Sequence, residues 1–201
     1  MASPARRVGA ENSATRALIL DAAEALIREH GYGAASTRKV AAKAGLKPSL
    51  VHYYFPTTDD LLVALSRRGA DESDRMIEAA LATDDPVREL WRFFTDTSRT
   101  AMALEFMALA NHRPAIREHM AQHCEAMRAR EVEIFSRLIG ERLATVGVCA
   151  PAGLSLVLAG IGRALIMEGG LGVTAGHAEA RAFVEGWLDR LSPETKNKAE
   201  A

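Results

Sequence analysis

The residues from Thr15 to Leu62, TRALILDAAEALIREHGYGAASTRKVAAKAGLKPSLVHYYFPTTDDLL, decide the fold of the chain. They open with apolar side chains at helical spacing, which predict an amphipathic helix that ends at Gly31. Ser36 offers a hydroxyl to cap a second short helix, and Gly45 provides the turn after it. Pro48 suits the first position of a third helix, where its missing N–H is not needed. Three short helices with a tight glycine turn predict a helix-turn-helix, whose third helix can enter a DNA major groove.

The charge of the chain is unevenly distributed. The formal net charge is −1, but residues 1–58 hold eight basic and four acidic side chains, and the remainder holds 17 basic and 22 acidic ones. No Asp or Glu occurs between Ser36 and Thr58. Positive charge without compensating acids suits a surface that contacts phosphates, so this pattern supports DNA binding by the helix-turn-helix.

Length and composition favour a cytoplasmic protein. The chain has 201 residues, of which 48% are hydrophobic, and no uninterrupted apolar run approaches the roughly 18 residues of a membrane span. The N-terminus lacks the apolar core of a secretory signal, and we expect a disordered arm at residues 1–12. Two cysteines, Cys124 and Cys149, are too few for a disulfide framework.

Helical patterns continue to the end of the chain. The capping signature Thr57-Thr58-Asp59-Asp60 predicts a fourth helix that runs to about Leu81. Interruptions at prolines and glycines then predict helices near residues 87–101, 103–112, 115–146, 152–167 and 177–191. No segment shows sustained period-two alternation, so we expect no sheet. The polar residues 193–201 should form a frayed tail.

Five short motifs resemble the N-terminal domain of the TetR family of bacterial transcriptional regulators: Gly31-Tyr32, Ser36-Thr37-Arg38, Val40-Ala41, Ala44-Gly45-Leu46 and Tyr53-Tyr54-Phe55. This resemblance implies an all-α protein with a three-helix DNA-binding domain at residues 1–57. A helical ligand-binding and dimerisation domain would follow at residues 58–192.

The resemblance implies which side chains meet DNA. Base edges would be touched by Arg38, Lys47, Pro48, Ser49 and His52, and phosphates by Thr37, Tyr53, Tyr54 and Thr58. An arginine fork can read guanine, whereas hydroxyls fix the register without reading sequence. Lys47 stands where the family often has a capping serine or threonine, which a lysine cannot imitate. Phe55 should be a core anchor, and for Tyr54 the core and DNA alternatives both stay open.

The last two helices are expected to form a dimer interface. Apolar residues recur at helical spacing there: Leu158, Ile161, Leu165, Phe183, Trp187 and Leu191. In a monomer they would be core. In proteins similar to TetR the corresponding helices pair about a twofold axis. A dimer also suits DNA, because the third helices of its two helix-turn-helix domains must lie about 34–36 Å apart to reach successive major grooves.

Aromatic and methionine side chains that lie in the sequence mainly between the helix-turn-helix and the last helix could line an effector pocket. The candidates are Trp91, Phe94, Phe106, Met107, Met127 and Met167. Such residues are first of all core, and sequence does not separate the two roles. Arg99, Arg163 or Glu168 could supply a polar anchor, without a choice among them.

Competing chemical signals are weak. His112, His119, His123 and Cys124 could be drawn as a metal cluster, but Pro114 breaks the helix among them, so we expect no metal site. The glycine cluster at residues 169–172 lacks the features of a phosphate loop. No catalytic trio or cofactor motif stands out, so an enzyme is not expected.

These observations predict a ligand-responsive repressor that binds a palindromic double-stranded DNA operator as a homodimer and is released by a small apolar or amphipathic effector. One alternative is a DNA-binding protein of the same fold that answers a protein partner or acts architecturally, without a small-molecule pocket. A second is a small helical enzyme or carrier. The sequence does not identify the effector, the operator or the regulated genes.

Overall fold

A computed structural model describes residues 13–146 and 150–191, apart from the side chains of residues 138, 140–146 and 191. Within this part the chain forms nine α-helices and no strand, which confirms the all-α prediction. The helices are α1 (Ala14–His30), α2 (Thr37–Ala44), α3 (Pro48–Tyr54), α4 (Thr58–Leu81), α5 (Pro86–Phe94), α6 (Thr97–Ala110), α7 (Pro114–Val146), α8 (Pro151–Gly170) and α9 (His177–Leu191), with a 3-10 turn at Tyr32–Ala34. The predicted arm, the predicted tail and Cys149 lie outside the described residues.

Helix caps fall where the sequence predicts them. The Ser36 hydroxyl accepts the Lys39 N–H at the start of α2. At the start of α4, the Thr57 hydroxyl accepts the Asp60 N–H at 3.0 Å, and the Asp60 carboxylate accepts the Thr57 N–H at 2.9 Å. This reciprocal pair satisfies two backbone donors that the helix itself leaves without partners, and it fixes where α4 begins.

One predicted helix boundary is wrong. The sequence analysis placed a helix near residues 87–101, but α5 ends at Phe94 and α6 begins at Thr97. The Thr95 hydroxyl donates to the Trp91 carbonyl, which closes α5. The Asp96 carboxylate accepts the Arg99 N–H at 3.0 Å, which opens α6. The break therefore depends on two side-chain caps, whereas the prediction relied on proline and glycine.

The first of two compact units contains the described residues up to 71 together with residues 105–121. The apolar stripe predicted for α1 is buried. Side chains with no exposed area form the core around it: Ile19, Ala23, Val40, Ala41, Val51, Leu61 and Ile116. Glycine closes two helices here, because Gly31 (φ 74°) and Gly45 (φ 66°) adopt positive φ, which strains other residues.

The first half of α4 belongs to this unit, and the division into two domains after residue 57 stays a prediction. Arg68 on α4 pairs with Asp21 and Glu24 on α1, and these ion pairs attach the first half of α4 to α1. Arg113, just before α7, pairs with Asp59 in the first turn of α4. Ion pairs of this kind between distant residues are not visible in a periodicity analysis.

The second compact unit contains residues 72–104, 122–146 and 150–191 of the described chain. Its core is formed by α5, α7, α8 and α9 around Leu90, Phe135, Leu158 and Trp187. Gly162 on α8 lies against the backbone of Phe94 on α5, where a Cβ atom would come within 2.9 Å of the Phe94 carbonyl carbon. Close packing of these two helices therefore requires a glycine at this position.

Candidate nucleic-acid interface

The turn between α2 and α3 is built by backbone hydrogen bonds. Gly45 is in the left-handed conformation, and the Leu46 N–H donates to the Ala41 carbonyl at 2.9 Å. Val40 and Val51 are fully buried, so each helix turns one face into the core and the other outward. This arrangement makes α2 and α3 a rigid pair, which a DNA-reading element requires.

Lys47 occupies the N-cap position of α3 without a side-chain cap hydrogen bond, as its chemistry predicts. Its carbonyl accepts the Leu50 N–H at 2.9 Å, and Pro48 fills the first helical position. The turn is therefore held by the backbone and by proline. The Lys47 ammonium is exposed and stays available for another partner.

The nine residues predicted to touch DNA differ in exposure. Six are exposed: Arg38, Lys47, Pro48, Ser49, His52 and Tyr53. Thr37, Tyr54 and Thr58 are half-buried. The Thr37 hydroxyl lies 3.4 Å from the His52 imidazole Nε2, which joins α2 to α3. The Tyr53 and Tyr54 rings meet edge to face with centroids 5.3 Å apart.

Phe55 and Arg16 explain how this end of α3 is anchored. Phe55 is 2% exposed, which confirms the prediction of a core anchor. The Arg16 guanidinium on α1 lies over the Phe55 ring, 5.1 Å from its centroid. The ring therefore ties α3 to α1, while the neighbouring Tyr53 remains at the surface.

Ion pairing divides the basic residues of this unit into two groups. Lys43 contacts Glu29 at 2.7 Å and Arg28 contacts Glu24 at 2.7 Å, so their charges are compensated. In the part of the chain that the structure describes, Arg38, Lys39 and Lys47 make no ion pair, and all three are exposed. We call these three residues the cationic surface. Lys39 was absent from the predicted contacts, although the acid-free stretch around it was the signal that could have indicated it.

The predicted pocket residues are divided between the two units. In the second unit Trp91 and Phe94 are buried, and Met127 packs against the same core, whereas Met167 is 56% exposed. Phe106 (buried) and Met107 (half-buried) belong to the first unit. No described contact joins the six side chains into one set, and their role stays a prediction.

The predicted dimer residues also have different positions. Leu158, Leu165 and Trp187 are buried in the core of the second unit, and Ile161 packs against that core. Phe183 is 67% exposed. The side chain of Leu191 lies outside the described residues.

Helix α8 has a second, uncovered apolar face. By length and composition it could cross a membrane, with a mean hydropathy of 1.4, yet only 39% of that window is buried. The exposed side of α8 carries Leu156, Val157, Gly160, Ala164 and Met167. We call these five residues, together with Phe183 on α9, the apolar face.

Part of the chain is similar to known regulatory proteins. The sequence model described as "Bacterial regulatory proteins, tetR family" matches residues 19–65. The HTH-type transcriptional repressor LfrR of Mycolicibacterium smegmatis (strain ATCC 700084 / mc(2)155) is 42% identical over 87 residues. That match covers 43% of this chain and 44% of the repressor, less than half of either.

Two solved structures share the fold over nearly the whole chain. The multidrug binding protein EbrR, in complex with imidazole, has 26% identity and a TM-score of 0.60, covering 90% of this chain and 97% of EbrR. A TetR-family member from Streptomyces coelicolor A3 has 26% identity and a TM-score of 0.62, covering 90% of this chain and 99% of its own. Residues 19–65 are therefore similar to the tetR family of bacterial regulatory proteins, and nearly the whole chain has the fold of these two structures.

Proposed function

We propose that this protein is a ligand-responsive transcriptional repressor that binds a palindromic operator as a homodimer in the cytoplasm. The observation that carries the proposal is the cationic surface, three exposed basic residues without compensating acids on a rigid helix pair. Positive charges that lie close together repel each other, and the negative charges of DNA phosphates would relieve that repulsion. The similarity to LfrR over its matched segment supports repression.

In this proposal, Arg38 and Lys47 approach base edges together with Pro48, Ser49 and His52. Thr37, Tyr53, Tyr54 and Thr58 donate hydroxyl hydrogen bonds to phosphates. The start of α4 also presents N–H groups that favour an anion, because the helix dipole is positive there. These groups would fix the position of α3, while the Arg38 fork supplies discrimination between bases.

A fluorescence anisotropy titration of operator and random DNA tests this assignment. We expect Arg38→Ala to weaken operator binding by about 1–3 kcal/mol and to reduce the preference over random DNA. Lys43→Ala is the matched control on the same helix, because Lys43 is held by Glu29. We expect the control to leave both affinities nearly unchanged. Equal losses on both DNAs for Arg38→Ala would reject Arg38 as a base reader.

The apolar face supports dimerisation, because a soluble chain rarely leaves such a helix uncovered. Gly160 and Ala164 are exposed on α8, and their small side chains would let a second helix approach closely. A partner copy of the chain could cover this face and complete the burial of α8. The proposal therefore moves the interface from Leu158, Leu165 and Trp187 to the exposed side chains of the same two helices.

For the effector we propose a small molecule with an apolar body. Trp91, Phe94 and Met127 supply adaptable apolar surface in the second unit. EbrR is described as a multidrug binding protein, and it shares this fold. An effector that binds better to a dimer unable to reach DNA, by a few kcal/mol, would release the operator by shifting populations.

A further inference from the structure

Arg99 is set apart from the other arginines of the second unit by its surroundings. It lies in the first turn of α6 and is half-buried. Its guanidinium stacks on the Phe93 ring of α5, 4.4 Å from the centroid. Phe93 is itself half-buried, so this stack is partly open to solvent.

The hydrogen-bond partners of Arg99 are uncharged. Nη2 donates to the Ser73 hydroxyl, and Nη1 donates to the Met76 thioether sulfur at 2.9 Å. A guanidinium has five N–H donors, so three of them have no partner among the described residues. No described carboxylate lies within ion-pair distance of Arg99, whereas Arg88, Arg92, Arg128 and Arg130 all have one.

Two acids lie nearby but leave the guanidinium fork open. Burial lowers the pKa of Arg99, and the charges of Glu72 and Asp96 oppose that effect. Arginine stays protonated at any physiological pH, so the side chain remains a cation. The Asp96 carboxylate is occupied by the Arg99 N–H and the Ser98 hydroxyl as the cap of α6. A cation held partly out of water without an ion pair is costly, and an incoming anion would remove that cost.

The other candidate anchors, Arg163 and Glu168, are less suitable, and so is the half-buried Arg128. Glu168 is bonded to His177 at 2.9 Å. Arg128 is shared between Glu131 and Ser155. Arg163 is half-buried, but it makes no described contact with an aromatic or hydroxyl group that would fix its orientation. Arg99 alone among these combines a fixed orientation, unused donors and an adjoining apolar surface.

We propose that Arg99 is the anion-binding anchor of the effector site, and that the effector is an organic carboxylate whose apolar body lies against Phe93 and Met76. Two parallel N–H···O bonds from a guanidinium match the geometry of a carboxylate. The aromatic ring and the thioether favour an apolar body over an inorganic anion. This inference rests on the proposed function, since it names the chemical class of the effector.

Isothermal titration calorimetry of the full-length protein tests the proposal with two matched pairs of probes. The carboxylates are octanoate and 1-naphthoate, and their uncharged counterparts are octanamide and 1-naphthamide. We expect at least one carboxylate to bind at least tenfold more tightly than its amide, because charge-assisted hydrogen bonds exceed neutral ones by about this much. Inorganic phosphate should compete only weakly.

Substitutions then locate the site. Arg99→Gln should weaken the carboxylate at least tenfold and leave the amide unchanged. Arg99→Lys keeps the charge, loses the fork and should give a smaller loss. The control is Arg92→Gln, because Arg92 is exposed and already paired with Glu89. Thermal unfolding by circular dichroism should show that all three variants remain folded.

Several results would overturn the proposal. These are equal binding of acid and amide in both pairs, no binding of either acid, competition by phosphate at similar concentration, or equal weakening by Arg92→Gln and Arg99→Gln. DNA binding measured on the same preparation separates the two claims. DNA binding without carboxylate binding would reject only the Arg99 site. Carboxylate binding without salt-dependent DNA binding would support the Arg99 site and reject the proposed function as a DNA-binding regulator.

Discussion

At the scale of single residues, the neighbours of a basic side chain decide whether its charge is available to bind DNA. Lys39 and Lys43 are both exposed lysines on α2. Lys43 is neutralised by Glu29, 14 residues earlier in the chain, and Lys39 is not. The sequence showed an excess of positive charge around α2 and α3, but the pairing needed the position of α1 relative to α2. The sequence could therefore predict Arg38 and Lys47 of the cationic surface, but it could not show that Lys39 belongs to the surface and that Lys43 does not.

Glu131 gives a prediction on pH. Burial raises the pKa of this carboxyl, which is 3% exposed, and the Ser155 hydroxyl and the Arg128 charge only partly oppose the effect. The folded chain therefore holds a proton more tightly than the unfolded chain above pH 4.5. By linkage, this residue lowers the stability of the fold as the pH rises above 4.5 and through the folded-state pKa.

Replacing Glu131 by Gln removes that ionisation and keeps the size. We expect the melting temperature of Glu131→Gln, relative to that of the natural chain, to rise as the pH increases from 4.5 to 7.5. Differential scanning fluorimetry in a pH series provides the measurement. Glu133→Gln is the control, because Glu133 lies exposed on the same helix. A difference that is constant with pH would contradict the raised pKa.

At the scale of helices, the number of elements and most of their ends could be predicted, because caps and periodicity are local signals. Helix α9 begins and ends at the predicted residues, His177 and Leu191. The break between α5 and α6 could not be placed, since Thr95 and Asp96 act as caps only in the folded geometry. Contacts between helices are harder to predict from sequence: neither the pairing of Arg68 with α1 nor that of Arg113 with Asp59 follows from residue spacing.

Gly162 gives a prediction at this scale. We expect Gly162→Ala to lower the free energy of unfolding by about 1–3 kcal/mol, because the added methyl group must displace the Phe94 backbone. The loss should outweigh the helix propensity that alanine gains over glycine, about 1 kcal/mol. Urea denaturation followed by circular dichroism would measure it.

The matched control for this substitution is Gly169→Ala, on the same helix. No atom lies within 4 Å of a Cβ built at Gly169. The control should therefore be neutral or slightly stabilising. If Gly162→Ala proved as stable as the control, close packing of α5 against α8 would not depend on glycine.

At the scale of the whole molecule, the apolar face predicts the oligomeric state. Phe183→Glu places a charge on this face, and we expect it to convert a dimer into a folded monomer. Operator affinity should then fall at least tenfold, because a monomer binds DNA through one helix-turn-helix and a dimer through two. Light scattering after size-exclusion chromatography and the anisotropy assay together test both statements.

The control for the oligomeric state is Leu18→Glu. Leu18 is 45% exposed on α1, outside the apolar face. This variant should remain dimeric. If Phe183→Glu stayed dimeric, or if the natural chain were monomeric at micromolar concentration, the proposed pairing through α8 and α9 would be rejected.

The sequence could indicate that α8 and α9 carry apolar residues at helical spacing, but it could not separate the side of each helix that enters the core of the second unit, with Leu158, Leu165 and Trp187, from the exposed side. Both sides of α8 are apolar, so periodicity alone cannot decide which side enters the core. The position of Gly162 decides it, because the side that carries this glycine packs on α5. Only the packed structure reveals that partner.

If the chain is the dimeric repressor proposed above, the placement of the apolar face in one compact unit and of the cationic surface in the other has a genetic consequence. A gene copy whose product has lost Arg38 and Lys47 but keeps α8 and α9 would still combine with normal chains. The mixed assemblies would carry one functional reader and bind the operator poorly. Such an allele would be transdominant, derepressing the target genes even in a cell that also carries the intact gene.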